Sequence, residues 1–326
     1  MPMTTLSRPN VTVAAAISSA VIVAVVGCSA THSPESSPTG PSATGTSAPS
    51  STASTPASTS TPASTSAPAS TSTSALAATC TITAAKGQCG PYKFPQTQDD
   101  PPQGIAGTTG AITVGNNVWS EPSGNWSQTL NVASPASWNV VANFPAGTSV
   151  RSFPNTGQTQ DWINGTKLPA ALSTWSSMVS SYSVSLNAHN GTVGEAAYDL
   201  WLDDWNNEVM IQTDFTGDSL RPRCDVDGDV VTTQTFGGTN GVPIQRWNLC
   251  QFGSELIWQP PTGTNYSSDK VDVMAMLTWL EKNGGGKYLP ANPTLTAISF
   301  GFEICSTGGQ NESFQVNNFS FIATPA

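Results

Sequence analysis

The chain has 326 residues, with 11 Lys and Arg against 21 Asp and Glu and a formal net charge of −10. That balance excludes a nucleic-acid partner, which would need a basic face. The length alone suggests two domains, but the first quarter lacks the apolar residues of a packed core.

Residues 11–26 form an apolar run behind a short start that carries Arg8. The run is too short and too rich in Ala and Ser for a comfortable membrane span. Residues 1–27 therefore read as a signal peptide. The run ends in Val25-Val26-Gly27-Cys28, which resembles a bacterial lipobox. The resemblance implies cleavage before Cys28 and lipidation of its thiol; the alternative is a plain secretory signal in which Cys28 is incidental. Residues 28–78 are almost entirely Ser, Thr, Ala and Pro, without periodic apolar positions. Such a segment cannot bury enough surface to offset its chain entropy, so it is expected to be a disordered spacer. The expected location is secreted or cell-surface, with the membrane touched only through a lipid at Cys28.

Residues 79–326 fit one all-β domain, expected as a monomer. All ten Trp lie between Trp119 and Trp279. Several should fill the core, while two or three exposed ones could act as flat platforms for sugar rings. Five cysteines follow Cys28. In an exported chain Cys80 with Cys89 would close a short loop, and Cys224 with Cys250 would staple a hairpin, which leaves Cys305 unpaired. His32 falls in the spacer and His189 stands alone, so no plausible metal site forms and no cofactor is expected. Asp225-Val226-Asp227-Gly228-Asp229 looks calcium-like, but its Gly comes early and no Glu sits at the EF-hand spacing. It reads as an acidic turn.

Short alternating runs bounded by Gly, Asn, Pro and Ser predict strands over 111–114, 138–144, 181–186, 197–202, 208–213, 256–258, 295–304 and 314–321. Val273, Met276, Leu277 and Leu280 fall at helical spacing, with Ser268 or Asp269 available as N-cap and Gly284–Gly286 as the stop. The simplest assembly is a β-sandwich of two antiparallel sheets with one helix packed on it.

Alternation places Glu208, Met210 and Gln212 on one face of their strand. In 296–304, Ile298, Phe300, Phe302 and Ile304 form an apolar face for the core. Ala297, Ser299, Gly301 and Glu303 lie opposite, a floor of small side chains beside one carboxylate. Asp199 and Trp201 share a face, and the turn at 203–207 would bring Asp199 beside Glu208. Clustered carboxylates disfavour one another's ionisation, which can supply the ionised group and the protonated group that glycoside hydrolysis needs. The other reading of these glutamates is that they are solvated residues on an outer face.

Asn116-Asn117-Val118-Trp119, Ser152-Phe153-Pro154-Asn155, Ala197-Tyr198-Asp199, Glu208-Val209-Met210-Ile211 and Gly301-Phe302-Glu303 resemble, in order, motifs of glycoside hydrolase family 12. The resemblance spans roughly residues 90–322. It implies a jelly roll of two stacked antiparallel sheets and retaining endo-β-1,4-glucanase activity on a β-glucan polysaccharide. It also implies that Glu208 is the nucleophile, Glu303 the acid and base, and Asp199 an aspartate assisting the nucleophile. Asn116 and Trp119 would line the non-reducing side of the cleft, and Met210, Gln212 and Trp201 would add substrate contacts. Two departures stand out: Gln212 replaces a Trp usual in the family, and Cys305 follows the acid on its own face. The alternative function is a glycan-binding surface lipoprotein without efficient chemistry, and transglycosylation is a third possibility.

Overall fold

The computed structural model describes residues 77–93, 111–147, 149–159, 168–187, 189, 191–216 and 230–326. The expected signal peptide, nearly all of the spacer, Cys28, Cys224 and the acidic turn at 225–229 lie outside the described residues.

Two sheets face each other. One has six strands in the order β1 (Cys80–Ile82), β4 (Ser127–Ser134), β5 (Ser137–Asn143), β16 (Glu312–Pro325), β8 (Trp175–Asn187) and β14 (Ser268–Asp272). The other runs β11 (Val230–Phe236), β12 (Gln245–Phe252), β13 (Glu255–Gln259), β10 (Asn207–Phe215), β9 (Thr192–Leu202), β15 (Thr294–Thr307), β6 (Asn155–Thr159), β3 (Ala111–Gly115) and β2 (Gln88–Lys93), with β7 (Ala170–Ala171) also pairing β15. All eight expected strands are present. The pairs are antiparallel except β10 with β13, which run parallel.

The core lies between the sheets and takes the apolar side of each strand. Ile298, Phe300, Phe302 and Ile304 of β15 are buried there, as alternation requires. Phe300 stacks on Phe319 of the six-stranded sheet, with centroids 4.9 Å apart. Two polar side chains inside are paired across the gap: the Trp138 indole N–H donates to Thr156 Oγ1 at 2.7 Å, and the Tyr198 hydroxyl donates to Ser180 Oγ at 2.7 Å. Leaving such buried groups unpaired would cost about 1–3 kcal/mol each.

The one long helix among the described residues, α1 (Val273–Asn283), buries Val273, Met276, Leu277 and Leu280, as their spacing predicts. Its N-cap is Asp272, whose carboxylate accepts from Ala275 N at 2.9 Å, in place of the expected Ser268 or Asp269. Those two belong to β14, where pairing with β8 claims their backbone. His189 does not stand alone: its Nδ1 lies 2.5 Å from Oε1 of buried Glu312.

Cys80 and Cys89 form the expected disulfide. Cys250 is disulfide-bonded, and so is Cys305, which corrects the expectation that Cys305 is unpaired. No helix among the described residues is long and apolar enough to cross a membrane.

Candidate active site

The outer face of the ten-stranded sheet gathers five carboxyl groups. Three strands, β10, β9 and β15, lie side by side at its centre. Their registers fix the neighbours: Glu208 pairs with Trp201, Met210 with Asp199, and Asp199 with Ser299. Glu303 pairs with Glu195, further along β9. On the other side of β10, the parallel register sets Glu255 beside Glu208. Glu195 and Glu255 were not anticipated from the sequence. Glu195 could have been, because it lies four residues before Asp199 on one strand and so shares its face. Glu255 gave no local signal, since only the parallel pairing brings it to Glu208.

Asp199, Glu208 and Glu303 thus open on one face, but they are not equally close. Glu208 is diagonal to Asp199. The β9 partners of Glu208 and Glu303 are six positions apart, roughly 20 Å on a flat sheet. Glu303 still acts electrostatically on Glu208, behind Asp199 and Glu255. The hydrogen-bond partner of Glu303 is Glu195.

Burial and mutual repulsion hold these acids toward their protonated forms. Desolvation, then the charges of Asp199, Glu255 and Glu303, push Glu208 up to about 10. Desolvation and the same kind of repulsion push Glu255 up to about 8. Asp199 is raised to about 7 by burial, against the Trp201 indole N–H, which donates to its Oδ2 at 3.1 Å and favours the anion. Burial raises Glu303, and burial with the neighbouring Glu303 raises Glu195 further. The face carries several protons at neutral pH, a supply for proton transfer.

Aromatic rings flank the acids. Trp119 packs beside Cys305, at the Glu303 end. Trp201 contacts Trp205 at the Glu208 end, with centroids 5.6 Å apart, and Trp205 is 37 % exposed. Trp205 was not anticipated. It sits in the β9–β10 turn, where Asp203, Asp204 and Trp205 all take positive φ. Asp203 braces that turn by accepting from Thr294 N at 2.9 Å and Asn207 Nδ2 at 2.8 Å.

Three expected substrate contacts are placed differently. Asn116 is fully buried between the sheets, accepting from Gln128 Nε2 at 2.9 Å and donating to Ala84 O at 3.1 Å. Ile112, Val114 and Val118 are core residues, so the period of two along 112–118 turns Asn116 inward with them. Gln212 is on the expected face but only 1 % exposed, and its amide donates to Glu195 Oε1 at 2.5 Å. Met210 packs with Ala197, Cys250 and Ile257 as the apolar floor beneath the acids. No cluster of His, Cys, Asp and Glu among the described residues could hold a metal ion.

Several solved structures with this architecture are glycoside hydrolases. The endoglucanase Cel12A from Rhodothermus marinus superposes with a TM-score of 0.55 at 19% identity, covering 76% of this chain and 100% of that one. The xyloglucanase domain of NopAA, a type three effector from Sinorhizobium fredii solved with cellobiose, gives 0.52 at 19% identity over 76% and 99%. The endo-1,4-β-glucanase CelB2 gives 0.51 at 24% identity over 74% and 98%. The fold is the family 12 jelly roll. At these identities the likeness is one of fold. No family model matches the chain, and neither does any curated protein.

Proposed function

We propose that this protein is a retaining endo-glycosidase of β-1,4-linked glucans, working through Glu208 and Glu303. The observation that carries the reading is the placement of Glu208, Asp199 and Glu303 on adjacent strands of one open face, within a family 12 jelly roll and between aromatic rings. Glu208, once ionised, attacks the anomeric carbon while the bond to the leaving oxygen breaks and Glu303 gives that oxygen its proton. Water then attacks the same carbon, Glu303 takes the water's proton, and Glu208 is released. Such a double displacement needs carboxyls about 5–5.5 Å apart. Asp199, diagonal to Glu208, modulates its ionisation. Trp119 and Trp201 offer flat apolar surfaces to pyranose rings. The bonded cysteines suit an oxidising, extracytoplasmic setting.

A second reading, a glycan-binding surface protein without efficient turnover, draws on two observations. Gln212 stands where the family carries a Trp, and Glu303 is hydrogen-bonded to Glu195. Release of reducing ends from a panel of soluble β-glucans decides between the readings. The purified chain should be active and its Glu208→Gln variant at least about a thousandfold slower. Binding without release, unchanged by that substitution, would favour the second reading.

A further inference from the structure

Glu195 is 4 % exposed, carries no role in the proposed double displacement, and lies directly opposite Glu303 in the β9–β15 ladder. Opposed residues have Cβ atoms about 5 Å apart, so both carboxyls reach the same space. They are hydrogen-bonded to each other, and two carboxyl groups can do this only if one keeps a proton. From β10, Gln212 Nε2 donates to Glu195 Oε1 at 2.5 Å. A Trp at position 212 could not reproduce that amide contact at the same place.

We propose that Glu195 and Glu303 hold one proton between them, with Gln212 bracing Glu195, and that Glu195 is thereby the positioning residue that sets the protonation of Glu303. The role in catalysis rests on the glycosidase reading above. A pair of this kind loses its first proton easily and its second with difficulty, because the last proton is held by both groups. The last proton rests mainly on Glu195, which burial and Glu303 both raise, while the hydrogen bond lowers Glu303 against its burial; Glu195 is thus the proton reserve beside Glu303. The other acids facing the pair are Asp199 on β9, Glu208 on β10 and Glu255 on β13, all of which favour retention of that last proton. Arg151, whose backbone N–H bonds Ile304 O, is the cation carried next to β15, and it is not among the groups acting on either carboxyl.

The test is a pH titration of the glutamate carboxyl carbons by NMR in the wild type, Glu195→Gln and Glu195→Asp, with kcat/KM measured across the same range. With Glu195→Gln, the pair's two steps should collapse to a single Glu303 titration at least about one pH unit below the pair's last step, and the alkaline limb of kcat/KM should move with it. Glu195→Asp should restore much of both. Superposed Glu303 titrations in wild type and Glu195→Gln would overturn the shared proton, whether or not the protein turns over glucan. A shifted Glu303 titration in a protein inactive on every glucan would uphold the pair and overturn the glycosidase reading instead.

Discussion

Trp201 performs two tasks with one side chain. Its ring stands beside Glu208 and contacts Trp205, while its indole N–H holds Asp199 through one oxygen. The other oxygen, Asp199 Oδ1, has no hydrogen-bond partner among the described residues. Removing the indole donor therefore withdraws the interaction that opposes burial. In Trp201→Phe the Asp199 carboxyl should titrate above its value of about 7, and the shift is read from its carboxyl carbon. An unmoved Asp199 would mean that the indole contributes ring surface alone. This level of detail was half legible in the sequence. Alternation placed Asp199, Glu208 and Glu303 on one face because a strand's period of two needs no tertiary information. Glu195 escaped because the alternating run predicts a strand only from Ala197, whereas β9 begins at Thr192. Asn116 was expected in the cleft from the resemblance alone, whereas its place in the alternation with Ile112, Val114 and Val118 puts it on the core side.

At the scale of elements, β15, which carries Glu303, is held against β6 by a missing side chain. A Cβ at Gly301 would lie 2.0 Å from the Pro154 carbonyl oxygen and 2.7 Å from the Asn155 Cα, both backbone atoms where β6 begins. The sequence suggested that Gly301 keeps the cleft floor low for a ligand, but the closer demand comes from the neighbouring strand. Gly301→Ala should push β6 off β15 and cost about 3 kcal/mol in urea unfolding, with a further loss of any glucanase activity as Glu303 moves. Gly115→Ala is the control: nothing lies within 4 Å of its Cβ, and it should change stability by under about 0.5 kcal/mol. Equal effects of the two substitutions would show that the contact at Gly301 relaxes freely. The helix illustrates the opposite balance. Its 3.6-residue period was plain in the sequence, but its start was not, because pairing with β8 keeps Ser268 and Asp269 in a strand and leaves the cap to Asp272 at that strand's end. Strands such as β6 and β11, rich in Thr, Gln and Gly, also escaped, since pairing with their neighbours defines them more than apolar alternation does.

For the whole molecule, the cysteines tie the expected anchoring of the chain to its folded domain. Cys250 on β12 and Cys305 on β15 are separated by three intervening strands, roughly 19 Å across the sheet. A disulfide spans at most about 7 Å between Cα atoms, so these two cannot bond to each other. Cys80 and Cys89 are already joined. Each of Cys250 and Cys305 therefore needs its own partner, and the sequence offers Cys28 and Cys224. A lipid thioether at Cys28 would leave five cysteines, an odd number that cannot all pair within one chain. The bonded state of Cys305 and a lipid anchor at Cys28 thus compete in a monomer. Denatured without reduction, the secreted wild type should show no free thiol, and Cys305→Ser should show one. One free thiol in the wild type, with a lipid mass at its N-terminus, would overturn the bonding of Cys305 and establish the anchor. With no free thiol, export remains expected, but attachment to the membrane would need a route other than Cys28.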